Sequence, residues 1–96
     1  MTALPQFRFR LYLAGTTENS QLARANLTAL CREHFAGQYT IEVIDVLVDP
    51  LRAQRDGVFI TPMLVKHDPT PIVRIIGTLN EPEVLLRSLG REPVVL

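Results

Sequence analysis

The sequence has one cysteine, no imbalance of charge and no long apolar run, and each shortage excludes something. A single thiol, Cys31, forms no intrachain disulfide, no paired-cysteine redox centre and no cysteine-based zinc site. Ten Lys and Arg residues balance ten Asp and Glu. No three basic residues stand together, which argues against a nucleic-acid partner, since phosphates are met by a basic excess on one face. No apolar stretch approaches the ~18 residues that span a bilayer, so no membrane partner is expected. Arg8 and Arg10 interrupt the one early apolar stretch, so no signal peptide is expected either, and the location that follows is cytoplasmic. Repeats, low-complexity tracts and long linkers are missing too. What remains is a chain of 96 residues, 47% hydrophobic and 21% charged, the composition of one small globular domain.

Residues 7–14, FRFRLYLA, alternate. Phe7, Phe9, Leu11 and Leu13 share one face and Arg8, Arg10 and Tyr12 the other, which predicts a strand. Gly15 permits a sharp turn, and Thr16 or Thr17 is placed to cap the helix that follows. Over residues 18–35, Leu22, Ala23, Leu27, Leu30, Cys31 and Phe35 recur at spacings of three and four, which predicts an amphipathic helix with Gly37 at its end. Residues 40–48, TIEVIDVLV, are rich in β-branched side chains and apolar on both faces, which predicts a central strand covered on both sides. Strand, helix and strand within about 40 residues form a βαβ unit with parallel strands.

Asp49 and Pro50 read as N-cap and first residue of a short helix running through Asp56 and stopping at Gly57. The next strand begins at Pro62 or just after, because proline donates no ladder hydrogen bond. Asp68-Pro69-Thr70-Pro71 reads as a turn, and antiparallel pairing of 63–67 with 72–76 makes a hairpin. Asn80, with Glu83 three residues on, is expected to cap a last helix whose apolar face is Val84, Leu85, Leu86 and Leu89, ending at Gly90. The order β-α-β-α-β-β-α with a mixed sheet is the thioredoxin-like α/β arrangement, in one domain with its core over 7–90.

That arrangement makes a chemical test possible. A thioredoxin-type reductase keeps its nucleophilic cysteine at the turn after the first strand, where a helix N-terminus lowers the thiol pKa. Here the turn is Gly15-Thr16-Thr17-Glu18-Asn19, so dithiol chemistry is excluded. Cys31 lies in phase with Leu27 and Phe35 and is expected to be a small buried hydrophobe. Ile60-Thr61-Pro62 resembles the cis-proline position of thioredoxin-like proteins, and Pro62 is expected to be cis. His34 and His67 stand on different elements without a carboxylate cluster, so no metal site is expected. Asp45 reads as a hydrogen-bonded structural carboxylate, there being no partner nucleophile or second acid to make it a catalytic base. The glycines form no phosphate-cradling pattern. No catalytic residue and no cofactor are assigned, and no enzyme activity is expected.

Several collinear motifs carry a resemblance. Phe9-Arg10-Leu11-Tyr12-Leu13-Ala14-Gly15 is similar to the first-strand signature of the KaiB family of bacterial circadian-clock proteins, and Asn19-Ser20 follows at that family's spacing. Val43-Ile44-Asp45-Val46-Leu47, then Asp49-Pro50, resembles its second strand and turn. Thr61-Pro62-Met63-Leu64 resembles its threonine-proline segment, and Pro71-Ile72-Val73-Arg74-Ile75-Ile76-Gly77 its proline-VR-IIG segment. The resemblance runs from residue 7 to 87. It implies a protein-interaction module that binds the ATPase ring of KaiC and modulates clock or stress-response signalling. It also implies two packings: a thioredoxin-like monomer that binds KaiC, and a state with a rearranged C-terminal half that assembles into tetramers. The partner-binding residues it implies are Gln54, Arg55, Asp56, Gly57 and Val58, with Thr61 and Pro62 beside them. By residue type alone, Gln54, Arg55 and Asp56 read as a solvated helix end.

There are departures. Clock-type members carry a lysine where Gly57 stands, and a glycine and an aspartate near the positions of Arg87 and Leu89. The sequence ends Pro93-Val94-Val95-Leu96, without their acidic tail. Arginine in place of glycine favours a continuous last helix by roughly 0.5–1 kcal/mol. The thioredoxin-like packing is therefore expected to dominate, in a divergent member that is not of clock type. Two other functions stay open on the residues: a thioredoxin-like enzyme using Cys31, and a homo-oligomer, dimer or tetramer, joined through apolar surface including Val94, Val95 and Leu96.

Overall fold

A computed structural model describes residues 6–91; Val94, Val95 and Leu96 lie outside them. The elements follow in the expected order: β1 (Phe7–Leu13), α1 (Glu18–His34), β2 (Tyr39–Asp45), α2 (Pro50–Arg55), β3 (Met63–Asp68), β4 (Val73–Ile76) and α3 (Pro82–Ser88). The strands form one sheet in the order β2-β1-β3-β4. β1 runs parallel to β2, from Phe7 beside Tyr39 to Leu13 beside Asp45. It is antiparallel to β3, which is antiparallel to β4.

The alternation on β1 divides the interior in two. Phe7, Phe9, Leu11 and Leu13 pack with α1 and α3, joining Ala23, Leu27, Leu30 and Cys31 with Leu85 and Leu86. On the opposite face Tyr12 joins Ile44, Met63 and Val65 beneath Ala53 of α2 and Val58 beyond it. Burying one such large side chain stabilises by about 1.5–3 kcal/mol. The first cluster is therefore the main source of stability, while the second fixes α2 to the sheet.

Local chemistry explains the helix starts. Thr17 caps α1, its hydroxyl accepting from Ser20 N at 3.4 Å. The buried Ser20 hydroxyl in turn accepts from Ala14 N at 3.1 Å and from the Thr17 hydroxyl at 2.8 Å. Asp49 caps α2 by accepting from Arg52 N at 3.2 Å, with Pro50 as the first helical residue. The bonds before Pro62, Pro69 and Pro71 are all cis, the first as expected.

Four expectations are corrected. The second strand is not central and stops sooner: β2 lies at the edge of the sheet and ends at Asp45, leaving residues 46–48 in a turn. In that turn Leu47 and Val48 stand 70% and 80% exposed. Leu22 is also exposed, because the buried stripe of α1 centres on Ala23, Leu27 and Leu30. Asn80 does not cap α3. Glu81 occupies the N-cap without a side-chain hydrogen bond, and Pro82 starts the helix, where its missing N–H leaves no donor wanting. Val84, the fourth, faces solvent while Leu85, Leu86 and Leu89 are buried.

Candidate functional site

The residues expected to bind a partner lie at the end of α2 and in the segment leading to β3, and the structure sorts them into two kinds. Gln54 and Arg55 point outward from the last turn of α2. Asp56 follows as the C-cap and is drawn inward. Its Oδ2 accepts from the Tyr12 hydroxyl at 2.7 Å, with Arg52 Nε at 3.5 Å and Arg55 Nε at 3.7 Å from the carboxylate. The Tyr12 hydrogen bond and then these arginines hold the Asp56 carboxyl below its usual range. Burial, together with Asp56, pushes the Tyr12 phenol up.

Gly57 turns the chain at φ 73°, a conformation that suits glycine, and its N–H donates to Gln54 O at 3.1 Å. The Arg74 guanidinium lies across this turn, donating to Asp56 O at 3.2 Å. Val58 donates its N–H to Ala53 O at 2.9 Å and buries its side chain in the cluster under α2. Pro62 is buried and its carbonyl accepts from Gly77 N at 3.0 Å; Thr61 is half-buried. Val58 and Pro62 are thus both buried here, one on each side of residues 59–61.

Between these two residues the chain turns outward. Phe59 is 83% exposed and Ile60 57%. Neither is among the partner-binding residues that the resemblance implies. The available signal was Pro62, which keeps the ladder from reaching back to these residues and leaves them outside the sheet. Leu51 on α2 adds to the exposed apolar side chains of this stretch, as do Leu47 and Val48 before it. Isolated exposed leucines need no explanation, but five large apolar side chains exposed within residues 47–60 are more than scattered ones.

The remaining candidates behave as structure. Asp45 Oδ1 accepts from Gly15 N at 3.1 Å and from Leu47 N at 2.9 Å, tying the two loops at this end of the sheet together. Cys31 is fully buried and its thiol is pushed up to about 12 by burial, which keeps it protonated and unreactive at neutral pH. His34 and His67 stand on α1 and β3. Among the described residues no cluster of His, Cys, Asp and Glu is placed to hold a metal ion, and no helix is long and apolar enough to cross a membrane.

Comparison with known proteins follows the same lines. Residues 10–90 match the KaiB domain. The circadian clock protein KaiB3 of a Synechocystis species is 42% identical over 84 residues, covering 88% of this chain and 82% of that protein. A circadian clock oscillator protein KaiB of Prochlorococcus marinus is 40% identical over 89 residues, covering 93% and 85%. Among solved structures, the N-terminal domain of Synechococcus elongatus SasA superposes with a TM-score of 0.74 at 18% identity, covering 100% of this chain and 94% of that one. Mitochondrial thioredoxin 3 of Saccharomyces cerevisiae gives 0.69 at 19% identity, covering 88% and 77%. At these identities the likeness is one of fold, and the fold is thioredoxin-like. By sequence match along most of its length, the chain belongs to the KaiB family.

Proposed function

We propose that this protein is an interaction module that docks on a KaiC-like ATPase ring and modulates clock or stress-response signalling. The contact surface is the end of α2 and the loop after it: Gln54 and Arg55 as polar contacts, Phe59 and Ile60 as apolar anchors, and Asp56, Gly57, Val58, Thr61 and Pro62 shaping the loop. The observation that carries this reading is the exposure of Phe59 on a loop pinned at both ends by buried residues. A large aromatic held in water on a fixed support stabilises nothing in the free protein. It is the kind of side chain that dominates protein–protein contacts. The curated relatives are named as circadian clock proteins, and that supports reading the contact as one with a clock-type partner. The enzyme alternative gains nothing from the geometry, since Cys31 is inaccessible.

The test is size-exclusion co-elution with the KaiC-like ATPase of the same organism, run separately in ATP and in ADP. Co-elution that depends on the nucleotide and is lost in Phe59→Ser is the expected result. Separate elution in both nucleotides overturns the proposal.

A further inference from the structure

Among the described residues, the sheet face that carries α2 is covered over one end only. Tyr12, Ile44, Met63 and Val65 lie in the cluster with Ala53 of α2. At the other end of the same face, where β1 begins, Arg8, Arg10, Thr40, Glu42, His67 and Asp68 line a polar cavity of about 160 Å³.

Three observations meet in that cavity. The β1–β3 ladder pairs Arg8 with Asp68 and Phe9 with Lys66, so His67 is an extra residue without a partner on β1. This is a β-bulge, a device that re-aims a side chain and recurs beside functional sites. Next, His67 Nε2 is buried and has no hydrogen-bond partner among the described residues. A buried polar atom left unpaired costs about 1–3 kcal/mol, so a partner that reaches it gains accordingly. Finally, one carboxylate serves two guanidiniums. Glu42 Oε1 accepts from Arg10 Nε at 3.1 Å, while both Glu42 oxygens accept from Arg52, at 3.1 and 2.9 Å. Arg10 engages that carboxylate through Nε, and Arg52 is shared further with Asp56 at 3.5 Å. Arg8 adds a cation held to Asp68 only at 3.8 Å, with both side chains more than half exposed, a loose contact that water weakens.

We propose that this cavity is a binding site for a small tetrahedral oxyanion of the phosphate class. The Arg8 and Arg10 guanidiniums, the Thr40 hydroxyl and the His67 imidazole supply donors from three adjacent strands. Guanidinium bonds to phosphate oxygens are charge-assisted, and the planar fork suits them geometrically. Arg52 keeps Glu42 neutralised while Arg10 turns its free nitrogens to the ligand. The charges of Asp68 and Asp56 favour the imidazolium, but burial and Arg10 outweigh them and hold the imidazole below its ordinary value. The ring is therefore neutral at pH 7 and keeps one N–H to give.

His34 is the one other imidazole in the chain, which supplies an internal control. The full chain is titrated with inorganic phosphate at fixed ionic strength, with acetate and chloride as separate arms, and both histidine rings are followed by NMR. The expected result is a saturable shift of His67 with phosphate and none of His34, together with a rise in the His67 titration midpoint. Arg8→Gln changes an exposed side chain and weakens phosphate binding roughly tenfold, the factor carried by one such hydrogen bond. Thr40→Val, on the exposed edge strand, weakens it in the same direction. Equal and linear shifts at both histidines, or phosphate affinity unchanged in both variants, overturn the site. Saturation by acetate to the same extent overturns the assignment to phosphate.

Discussion

The Tyr12 hydroxyl donates to Asp56 Oδ2 at 2.7 Å across 44 positions of sequence, tying the central strand β1 to the end of α2. The bond joins the innermost layer of the sheet to the segment that leads into the exposed Phe59 loop. Tyr12 itself is 1% exposed, so its hydroxyl has little recourse to water. Whatever holds the loop in place begins with this pair.

Tyr12→Phe is therefore expected to destabilise the fold by about 1.5–3 kcal/mol at neutral pH, the range for a hydrogen bond to a charged group. The deficit depends on pH with a definite sign. Asp56 titrates below its unfolded value, so its stabilising effect is present above the ordinary carboxylate range and is lost as pH falls through the lowered native value. The difference between the variant and the parent narrows in acid. Tyr12 titrates above its unfolded value, so the parent also loses an advantage as pH rises past the ordinary phenol range. Urea denaturation of both proteins across pH measures this; a deficit that grows in acid contradicts the pairing.

A second long-range tie holds the other connection of the sheet. Asn26 Nδ2 on α1 donates to Thr78 O at 2.8 Å, next to Leu79, a buried residue in the left-handed region at φ 61°. Leucine pays roughly 1–2 kcal/mol for that conformation, and burial of its side chain with α1 and α3 offsets it. Asn26→Asp keeps the size but loses the donor. It is expected to cost about 1–3 kcal/mol and to speed hydrogen exchange in residues 77–80 ahead of the rest of the sheet. Unchanged exchange there contradicts the role given to Asn26.

Cys31 gives a third measurement. With the thiol inaccessible and raised to about 12, a disulfide reagent is expected to leave it untouched in the native protein and to label it fully in denaturant. Cys31→Ala is expected to fold with a modest loss, about 1–2 kcal/mol for the small volume removed. Cys31→Ser costs more than Ala, because it buries a hydroxyl among Leu27, Leu30 and Phe35. Rapid native labelling contradicts this reading and reopens the thiol as a functional group.

What was legible in the sequence follows from what a one-dimensional pattern encodes. β1 and α1 were readable because their buried residues keep periods of two and near 3.6, and the β3–β4 hairpin because prolines mark its turn. β2 misled because Val43, Leu47 and Val48 are the residue types of a core strand, yet Val43 lies on an edge strand and Leu47 and Val48 in the turn after it, all three exposed. An apolar side chain kept for a partner looks the same in sequence as one kept for the interior. The same ambiguity hid Phe59 and Ile60. The Tyr12–Asp56 pair and the His67 bulge were out of reach for another reason: both depend on which strands become neighbours, and no local pattern specifies that.

That ambiguity can be separated by experiment. Residues kept for the interior cost stability when replaced by polar ones; residues kept for a partner do not. Phe59 and Ile60 are 83% and 57% exposed, so the double substitution Phe59→Ser, Ile60→Ser is expected to change unfolding free energy by no more than about 0.5 kcal/mol, the range of ordinary surface changes. The same protein is expected to lose binding to the KaiC-like ring by about 2 kcal/mol or more, some thirtyfold in affinity, as truncating an aromatic anchor does. Val58→Ser supplies the contrast: Val58 is buried under α2, so its replacement lowers stability first and binding only through it. If the double variant binds as tightly as the parent while remaining fully folded, the exposed loop is not the docking surface. If instead it unfolds, Phe59 and Ile60 belong to the interior.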